Sequence, residues 1–172
     1  MDLALAVDIG GTKFAVGLVT RAGELLDREV HRVDARDTAD EHFDELARLV
    51  KSQMDKARER HGMPLSVCGV GSAGPITRDA EQVSPLNVPA WRDFPLRSRL
   101  EALTGLPVYG DGDAKALALA EGWLGAARGT DSFLAMVVST GVGGGIVLNG
   151  ELLEGATGNR SEEHTSELQV TQ

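Results

Sequence analysis

The stretch that decides the fold is Val7-Asp8-Ile9-Gly10-Gly11-Thr12-Lys13. It ends an apolar run of strand length that begins at Leu3, and a second apolar run begins at Phe14, so the pattern predicts a hairpin closed by a glycine turn. Turn glycines leave backbone N–H groups accessible beyond the strand end. An anion such as a phosphate is a natural ligand for such groups.

Polar side chains beside this turn suit the same ligand. The Thr12 hydroxyl and the Lys13 ammonium can donate hydrogen bonds to an anion, and the Asp8 carboxylate can hold a hydrated divalent cation. The alternative is an ordinary tight hairpin with solvated polar residues. The pattern Asp-x-Gly-Gly-Thr taken alone does not decide between these interpretations.

Length and composition favour an α/β protein. The chain has 172 residues, which is enough for one full domain and the beginning of a second. Hydrophobic residues make up 42% of the chain and aromatic residues only 4%, so the core must consist mainly of aliphatic side chains and alanine. Such a core is typical of buried strands.

Charge and cysteine content exclude several classes of function. The net charge of −9 argues against nucleic acid as a partner, because binding to a phosphate backbone needs a basic surface. Cys68 is the single cysteine, which excludes an intrachain disulfide and a thiolate metal cluster and predicts a buried, inert thiol. We expect a cytoplasmic protein that does not bind membranes, because no signal peptide or membrane-spanning apolar stretch is recognisable.

The first half of the chain predicts a meander followed by a long helix. A third strand is expected over 24–33, which makes three sequential antiparallel strands. Thr38-Ala39-Asp40-Glu41 fits a capping box, and apolar residues then recur at helical spacing until His61-Gly62. A strand over 65–72 follows and runs into the turn Ala73-Gly74-Pro75-Ile76.

The next segments contain polar residues for which a structural and a functional interpretation compete. Residues 77–93 are predicted to form a long loop, in which Asn87 and Trp91 either face a ligand or form a turn and anchor the loop; the residues alone favour the structural role. Asp113 comes before a predicted helix over 114–127. It is either a helix N-cap or a carboxylate at a strand end that accepts a proton from a substrate hydroxyl.

A second glycine-rich segment repeats the opening pattern. Ser139-Thr140-Gly141-Val142-Gly143-Gly144-Gly145 is expected to break an apolar strand that resumes at Ile146. Two such turns facing each other would hold a polyphosphate between them, and the alternative is two unrelated hairpins. We therefore predict a first domain over 1–128 and the beginning of a second over 129–159.

Five segments in this order resemble the N-terminal part of ROK-family sugar kinases, within the actin-like ATPase superfamily. The segments resemble the family's first phosphate motif, strand-end turn, sugar-contacting loop, catalytic motif and second phosphate motif, and they are 8–13, 71–76, 84–91, 112–116 and 139–145. The implied fold is an α/β, ribonuclease H-like domain with a mixed sheet that starts in an antiparallel meander. The first hairpin of a truncated second lobe would follow it.

The resemblance implies ATP-dependent transfer of a γ-phosphoryl group to a sugar hydroxyl, such as the 6-hydroxyl of glucose. Asp113 would be the general base, and Asp8 would position Mg²⁺ through its water shell. The implied phosphate contacts are Asp8, Gly10, Gly11, Thr12, Lys13, Thr140, Gly141 and Gly143, and the implied sugar contacts are Gly74, Asn87 and Asp113. Gly112 departs from the pattern, because the family usually has Asn there, so one sugar contact is expected to be missing.

The resemblance also implies a truncated chain. Family members continue after Asn159 into a further sugar-binding stretch, often a zinc site, and the adenosine-binding half of the second lobe. Zinc is therefore expected only in that missing part. Residues 160–172 resemble the translated read-through of a sequencing adapter and are predicted to be artefactual. We expect the full-length protein to bind sugar and ATP as a homo-oligomer, and the truncated chain to be inactive.

Two other functions compete with a kinase. One is a sugar-sensing transcriptional regulator of the same superfamily that has lost or lacks its DNA-binding domain. We expect this function less than a kinase, because the first strand begins at Leu3 and the chain is acidic. The other is an actin-like nucleotide-binding module without sugar chemistry.

Overall fold

The computed structural model describes residues 2–138, 142–153 and 162–163 of the chain. The chain divides into two compact units, Met1–Gly112 and Asp113–Gln172, which are described separately. The domain boundary predicted after residue 128 stays a prediction.

The first unit is built on a five-stranded mixed sheet with the order β3-β2-β1-β4-β5. β1, β2 and β3 form an antiparallel meander, and β4 and β5 run parallel to β1. The predicted fold class, a mixed sheet that starts in an antiparallel meander, is thereby confirmed. The strands are β1 Leu3–Ile9, β2 Lys13–Thr20, β3 Leu25–Arg32, β4 Leu65–Ser72 and β5 Val108–Gly112.

Helix α1, Ala39–Lys56, begins at the predicted capping box. The Thr38 hydroxyl accepts a hydrogen bond from the Glu41 N–H, and the Glu41 carboxylate accepts one from the Thr38 N–H at 2.8 Å. Each bond satisfies an N–H group that would otherwise lack a partner in the first turn. The helix continues into a short π-helical segment and ends at Gly62, whose φ of 59° is favourable for glycine.

The core of the first unit lies on one face of the sheet. Alternate residues of β1 are buried while Asp8 is exposed, as expected for a strand with one face against the core. α1 and a second helix, α2 (Leu96–Thr104), contribute buried leucines to this core. Each fully buried leucine stabilises the fold by roughly 1.5–3 kcal/mol, so this face holds the unit together.

The second unit consists of one helix and a small antiparallel sheet. α3 is Asp113–Trp123, and the described strands are β6 Phe133–Val138, β7 Val142–Leu148, β8 Glu151–Leu152 and β9 Glu162–Glu163. β7 pairs with β6, β8 and β9. β9 lies in the segment 160–172, which was predicted to be artefactual.

The predicted glycine break before Ile146 is wrong for residues 143–145, which lie inside β7. These glycines allow close packing of α3 on the strand. A Cβ atom at position 143 would lie 2.9 Å from the Ala114 Cβ, and one at position 145 would lie 3.0 Å from the Ala114 carbonyl oxygen. The glycines of β7 and the small residues of α3 therefore allow the helix to pack closely on the strand. This packing explains why the glycine run lies in a strand and not in a turn.

α3 is also shorter than the predicted helix over 114–127. The Glu121 side chain folds back on the end of the helix, where its Oε2 atom accepts a hydrogen bond of 2.9 Å from the Ala126 N–H. This bond replaces the next helical bond and ends the helix in a turn. Across the described residues, the structure has no helix that is both long and apolar enough to cross a membrane.

Candidate functional site

Three parallel strands of the first unit end at the same edge of the sheet. The register pairs Ile9 with Ser72 and Ser72 with Gly112, so β1, β4 and β5 finish side by side. The Ala73 N–H donates a 3.0 Å hydrogen bond to the Ile9 carbonyl and ties two of these ends together. Ligands of α/β sheets bind beyond the carboxyl ends of such strands, which makes this edge the candidate site.

The glycine turn lies at this edge between β1 and β2. The Gly10 N–H donates to the Lys13 carbonyl at 3.1 Å, so it already belongs to the hairpin. The N–H groups of Gly11 and Thr12 donate to no other residue in the described parts of the chain. The side chains of Asp8, Thr12 and Lys13 are all exposed, so a carboxylate, a hydroxyl and an ammonium lie at the surface around the turn.

The strand-end turn after β4 packs under the following loop. Gly74 is buried, and the Ser84 N–H donates a 2.8 Å hydrogen bond to the Pro75 carbonyl. Ile76 and Val83 form an isolated antiparallel bridge. The segment predicted as a long loop is therefore ordered by backbone hydrogen bonds, although it contains only one short 3₁₀ turn, Arg78–Ala80.

Asn87 projects from a tight turn at the tip of this loop. The turn is closed by a 3.0 Å hydrogen bond from the Val88 N–H to the Pro85 carbonyl, and the Asn87 side chain is exposed. A Cβ atom at Gly11 would lie 2.5 Å from the Asn87 Cβ. The structure thus brings the predicted sugar-contacting Asn87 against the predicted phosphate turn.

An aromatic cluster lies beneath this contact. Trp91 is completely buried, stacks on Phe14 at 5.1 Å and on Phe94 at 4.3 Å, and donates from its indole N–H to the Ala39 carbonyl at 3.0 Å. The interpretation of Trp91 as a loop anchor is confirmed. Since Phe14 is the second residue of β2, directly after the turn, the same cluster supports both the turn and the loop.

His42 belongs to this cluster and was missed by the sequence reasoning. Its ring packs edge-on against Phe14 at 6.0 Å and against Trp91 at 6.3 Å. The side chain is 1% exposed, and its Nε2 atom has no hydrogen-bond partner among the described residues. The available signal was its position on α1 four residues before Leu46, which places it on the buried stripe of the helix.

Asp113 is the first residue of α3 and of the second unit. Its side chain is exposed, and its Oδ1 atom accepts a 2.7 Å hydrogen bond from the Ala114 N–H. A carboxylate in the first turn of a helix interacts favourably with the helix dipole, and exposure leaves this carboxylate accessible. Lys115, two residues later, is only 3% exposed, which is unusual for a lysine. The sequence did not indicate this burial.

The second glycine segment is described only in part. Thr140 and Gly141 lie outside the described residues, so their predicted phosphate contacts stay predictions. Gly143 lies in β7 against Ala114, and this packing accounts for its lack of a side chain.

The described residues contain no group of three or more histidine, cysteine, aspartate or glutamate side chains that could hold a metal ion. Mg²⁺ in phosphate sites uses one or two carboxylates together with substrate oxygens and waters, and the exposed Asp8 at the strand end fits that kind of binding. Cys68 is completely buried and burial raises the pKa of its thiol to about 12, as expected for an inert core residue.

The sheet and the turns at its edge define an α/β domain of the actin-like class. The ROK family model matches residues 4–165, and the chain therefore belongs to the ROK family. The chain is 38% identical over 162 residues to a glucokinase from Thermotoga maritima, covering 92% of this chain and 48% of the relative.

Solved structures of ROK family proteins have the same fold as this chain. A ROK family glucokinase from Streptomyces griseus, in complex with glucose and AMPPNP, is 32% identical with a TM-score of 0.80, over 93% of this chain and 49% of that one. A ROK family transcriptional regulator, a homologue of the E. coli MLC protein, also has a TM-score of 0.80 but is 22% identical, over 93% of this chain and 40% of that one, and so shares the fold alone. The chain spans about half the length of the glucokinases it matches.

Proposed function

We propose that the full-length protein is an ATP-dependent hexose kinase that transfers the γ-phosphoryl group to a sugar hydroxyl, the 6-hydroxyl of glucose. The observation that carries the proposal is the contact between Gly11 and Asn87, because it joins a turn suited to phosphate and a loop suited to sugar in one site. The similarity to glucokinases supports the same assignment.

The glycine turn would hold the phosphates of ATP. The N–H groups of Gly11 and Thr12, the Thr12 hydroxyl and the Lys13 ammonium can all donate to phosphate oxygens. Gly10 would contribute by shaping the hairpin, since its own N–H bonds to Lys13. Thr140, Gly141 and Gly143 are proposed to contact the phosphates from the second glycine segment.

Asp8 would hold Mg²⁺ through water. A cation held there would supply positive charge against the phosphate oxygens. Asp8 would contribute one exposed carboxylate to this cation site, and β1 positions that carboxylate near the end of the strand.

Asp113 would act on the sugar. A sugar hydroxyl is a poor nucleophile, and a carboxylate within hydrogen-bond reach can take its proton as the hydroxyl oxygen attacks the phosphorus. Asn87 would orient the sugar by hydrogen bonds, and Gly74 would bring backbone close to it. Closure of the site would exclude water, which otherwise competes as the acceptor of the phosphoryl group.

The general-base role predicts a specific effect of Asp113→Asn in the full-length protein. We expect kcat for sugar phosphorylation to fall by about 100-fold or more, the range of general-base catalysis, with ATP affinity retained. Asp111→Asn is the matched control, because it changes a neighbouring carboxylate without a proposed role. Unchanged turnover in Asp113→Asn, measured by coupled ADP release and calorimetric ATP titration, refutes the base assignment.

The competing function is a sugar-sensing regulator, and the fold that this chain shares with a ROK regulator does not by itself separate the two functions. The two are separated by testing the full-length gene product for phosphorylation of glucose, mannose, fructose and N-acetylated hexoses, and for retention of specific DNA. Turnover without DNA retention supports the kinase. DNA retention without turnover supports the regulator.

A further inference from the structure

Gly11 has no space for a side chain because the loop that carries Asn87 lies against it. The backbone conformation of Gly11 is not the reason. A Cβ atom at position 11 would lie 2.5 Å from the Cβ and the Nδ2 atoms of Asn87 and 2.9 Å from its Cγ. The glycines with positive φ in the described part of the chain do not include Gly11, so its backbone conformation is open to other residues. The requirement for glycine therefore comes from Asn87.

Asn87 cannot relieve such a contact by rotating its side chain. Its Cβ atom is fixed by the backbone, and a contact of 2.5 Å between two such atoms is far shorter than van der Waals contact. Only a shift of the loop or of the turn would make room. Gly10 differs, because a Cβ atom there would meet only the Lys13 carbonyl oxygen, at 3.1 Å.

Buried side chains and hydrogen bonds hold the loop around Asn87 in place. Val88 and Trp91 are completely buried, and the Trp91 N–H donates to the Val88 carbonyl at 2.9 Å. Arg92 donates from Nη1 to the Pro85 carbonyl at 3.2 Å and to the Trp91 carbonyl at 2.8 Å. These bonds fix the backbone on both sides of Asn87, so the loop resists moving away from the turn.

The turn is fixed against the same elements. Phe14, three residues after Gly11, is completely buried and stacks on Trp91 at 5.1 Å. The turn and the loop are thus joined at two points, by contact of Gly11 with Asn87 at the surface and by the stack of Phe14 on Trp91 in the core. A displacement of one segment must be transmitted to the other.

We propose that Gly11 is a positioning residue for the sugar, because it provides the space that fixes where the Asn87 amide lies. This inference rests on the proposed function, in which Asn87 contacts a hexose. It assigns to a residue of the phosphate turn a second task, which is to set the geometry of the sugar contact.

The test is a double-mutant cycle in the full-length protein with glucose and ATP. Gly11→Ala is expected to raise KM for glucose by about tenfold, because the added methyl group displaces Asn87. Asn87→Gly also raises this KM, since it removes the amide. In the double variant the methyl group meets no Asn87 side chain, so adding Gly11→Ala to Asn87→Gly is expected to change KM for glucose less than about twofold.

Gly10→Ala provides the matched control in the same turn. The effects of Gly10→Ala and Asn87→Gly on KM for ATP or glucose are expected to be additive in free energy in the double variant. The reason is that a Cβ atom at position 10 would not contact Asn87. Equal coupling of positions 10 and 11 to position 87 overturns the proposal, as does independence of positions 11 and 87.

Folding and function are separated by a second measurement, urea unfolding of each variant. If Gly11→Ala alone does not fold, recovery of the fold by adding Asn87→Gly supports the steric coupling, and failure to recover overturns it. If the unmutated protein phosphorylates no hexose, the proposed function fails and the positioning role falls with it. If the unmutated protein is active and the KM effects are independent, only the positioning role fails.

Discussion

Trp91 illustrates how one residue can decide the shape of a loop that has no regular secondary structure. Its indole is completely buried between Phe14 and Phe94, and its N–H group is satisfied by the Ala39 carbonyl. A polar, proline-containing segment identified the loop in the sequence. The sequence located the anchor as one large apolar residue near the end of that segment. Two of its partners, Phe14 and Ala39, are distant in sequence and could not be predicted.

Truncation of this anchor should destabilise the first unit strongly. Trp91→Ala is expected to lower the free energy of unfolding by about 3–5 kcal/mol, because it leaves a cavity between two stacked rings. Trp91→Phe keeps a stacked ring and loses the indole hydrogen bond, so a smaller loss is expected. Urea unfolding followed by circular dichroism measures both, and equal losses in the two variants would contradict the importance of the stack.

Cys68 should be chemically silent in the folded protein. Its side chain is completely buried in β4, and burial raises the pKa of the thiol to about 12, so the reactive thiolate is scarce at neutral pH. We expect no reaction with a disulfide reagent such as 5,5′-dithiobis(2-nitrobenzoate) at pH 7, and one thiol per chain after denaturation. Rapid labelling under native conditions would contradict this description of the core.

At the scale of elements, the signals that proved reliable were local ones. The capping box of α1 lies in four consecutive residues, and the alternation of β1 lies in seven, so both are legible in sequence. The glycine run of β7 was misjudged because its cause is not local. Gly143 and Gly145 accommodate α3, a helix that begins about thirty residues earlier, and nothing in the run itself distinguishes a turn from a closely packed strand.

The packing of α3 on β7 predicts the effect of a single methyl group. Gly145→Ala places a Cβ atom against the Ala118 side chain and within 3.0 Å of the Ala114 carbonyl oxygen. Overpacking of this kind is expected to lower the free energy of unfolding by about 1–3 kcal/mol. Gly69→Ala is the matched control, since it is also a strand glycine but its Cβ atom would meet nothing within 4 Å. Equal stability of the two variants would disprove the close approach of the helix.

On the scale of the whole chain, an acidic protein must hold its carboxylates apart or pair them. Asp27 and Glu29 of β3 both contact Lys56 at the end of α1, at 2.6 and 2.8 Å. Hydrogen bonds from Lys56 are the main reason that the pKa values of both carboxyls lie below their usual values of 3.8 and 4.5. Ion pairs with β3, as well as the packing of its apolar face, therefore hold α1 against the sheet.

This cluster makes stability dependent on pH. A carboxyl whose pKa is lower in the folded state stabilises the fold above its usual pKa, and the effect is lost as the pH falls through the lowered value. We expect the urea midpoint to fall between pH 5 and pH 3, and Lys56→Met to weaken this dependence while costing roughly 1–2 kcal/mol at pH 7. An unchanged acid profile in Lys56→Met would show that other carboxyls dominate.

The proposed function also predicts the activity of the 172-residue chain on its own. It spans about half the length of its glucokinase relatives. We propose that adenosine binding belongs to the half that this chain does not span. Little or no glucose-dependent ADP release is therefore expected from this chain, with the full-length protein as the positive control. Robust turnover by the 172-residue chain would refute the assignment of adenosine binding to the half of those relatives that this chain does not span.

The contact between Gly11 and Asn87 has a consequence for protein evolution. Two positions that share one small space cannot change independently, so substitutions at 11 and 87 should be correlated across ROK sequences. A residue larger than glycine at the first position should occur with glycine at the second, or with a loop of altered length. Comparison of many homologous sequences, grouped by the sugar each protein uses, would then separate positions that evolve for steric fit from positions that evolve for substrate.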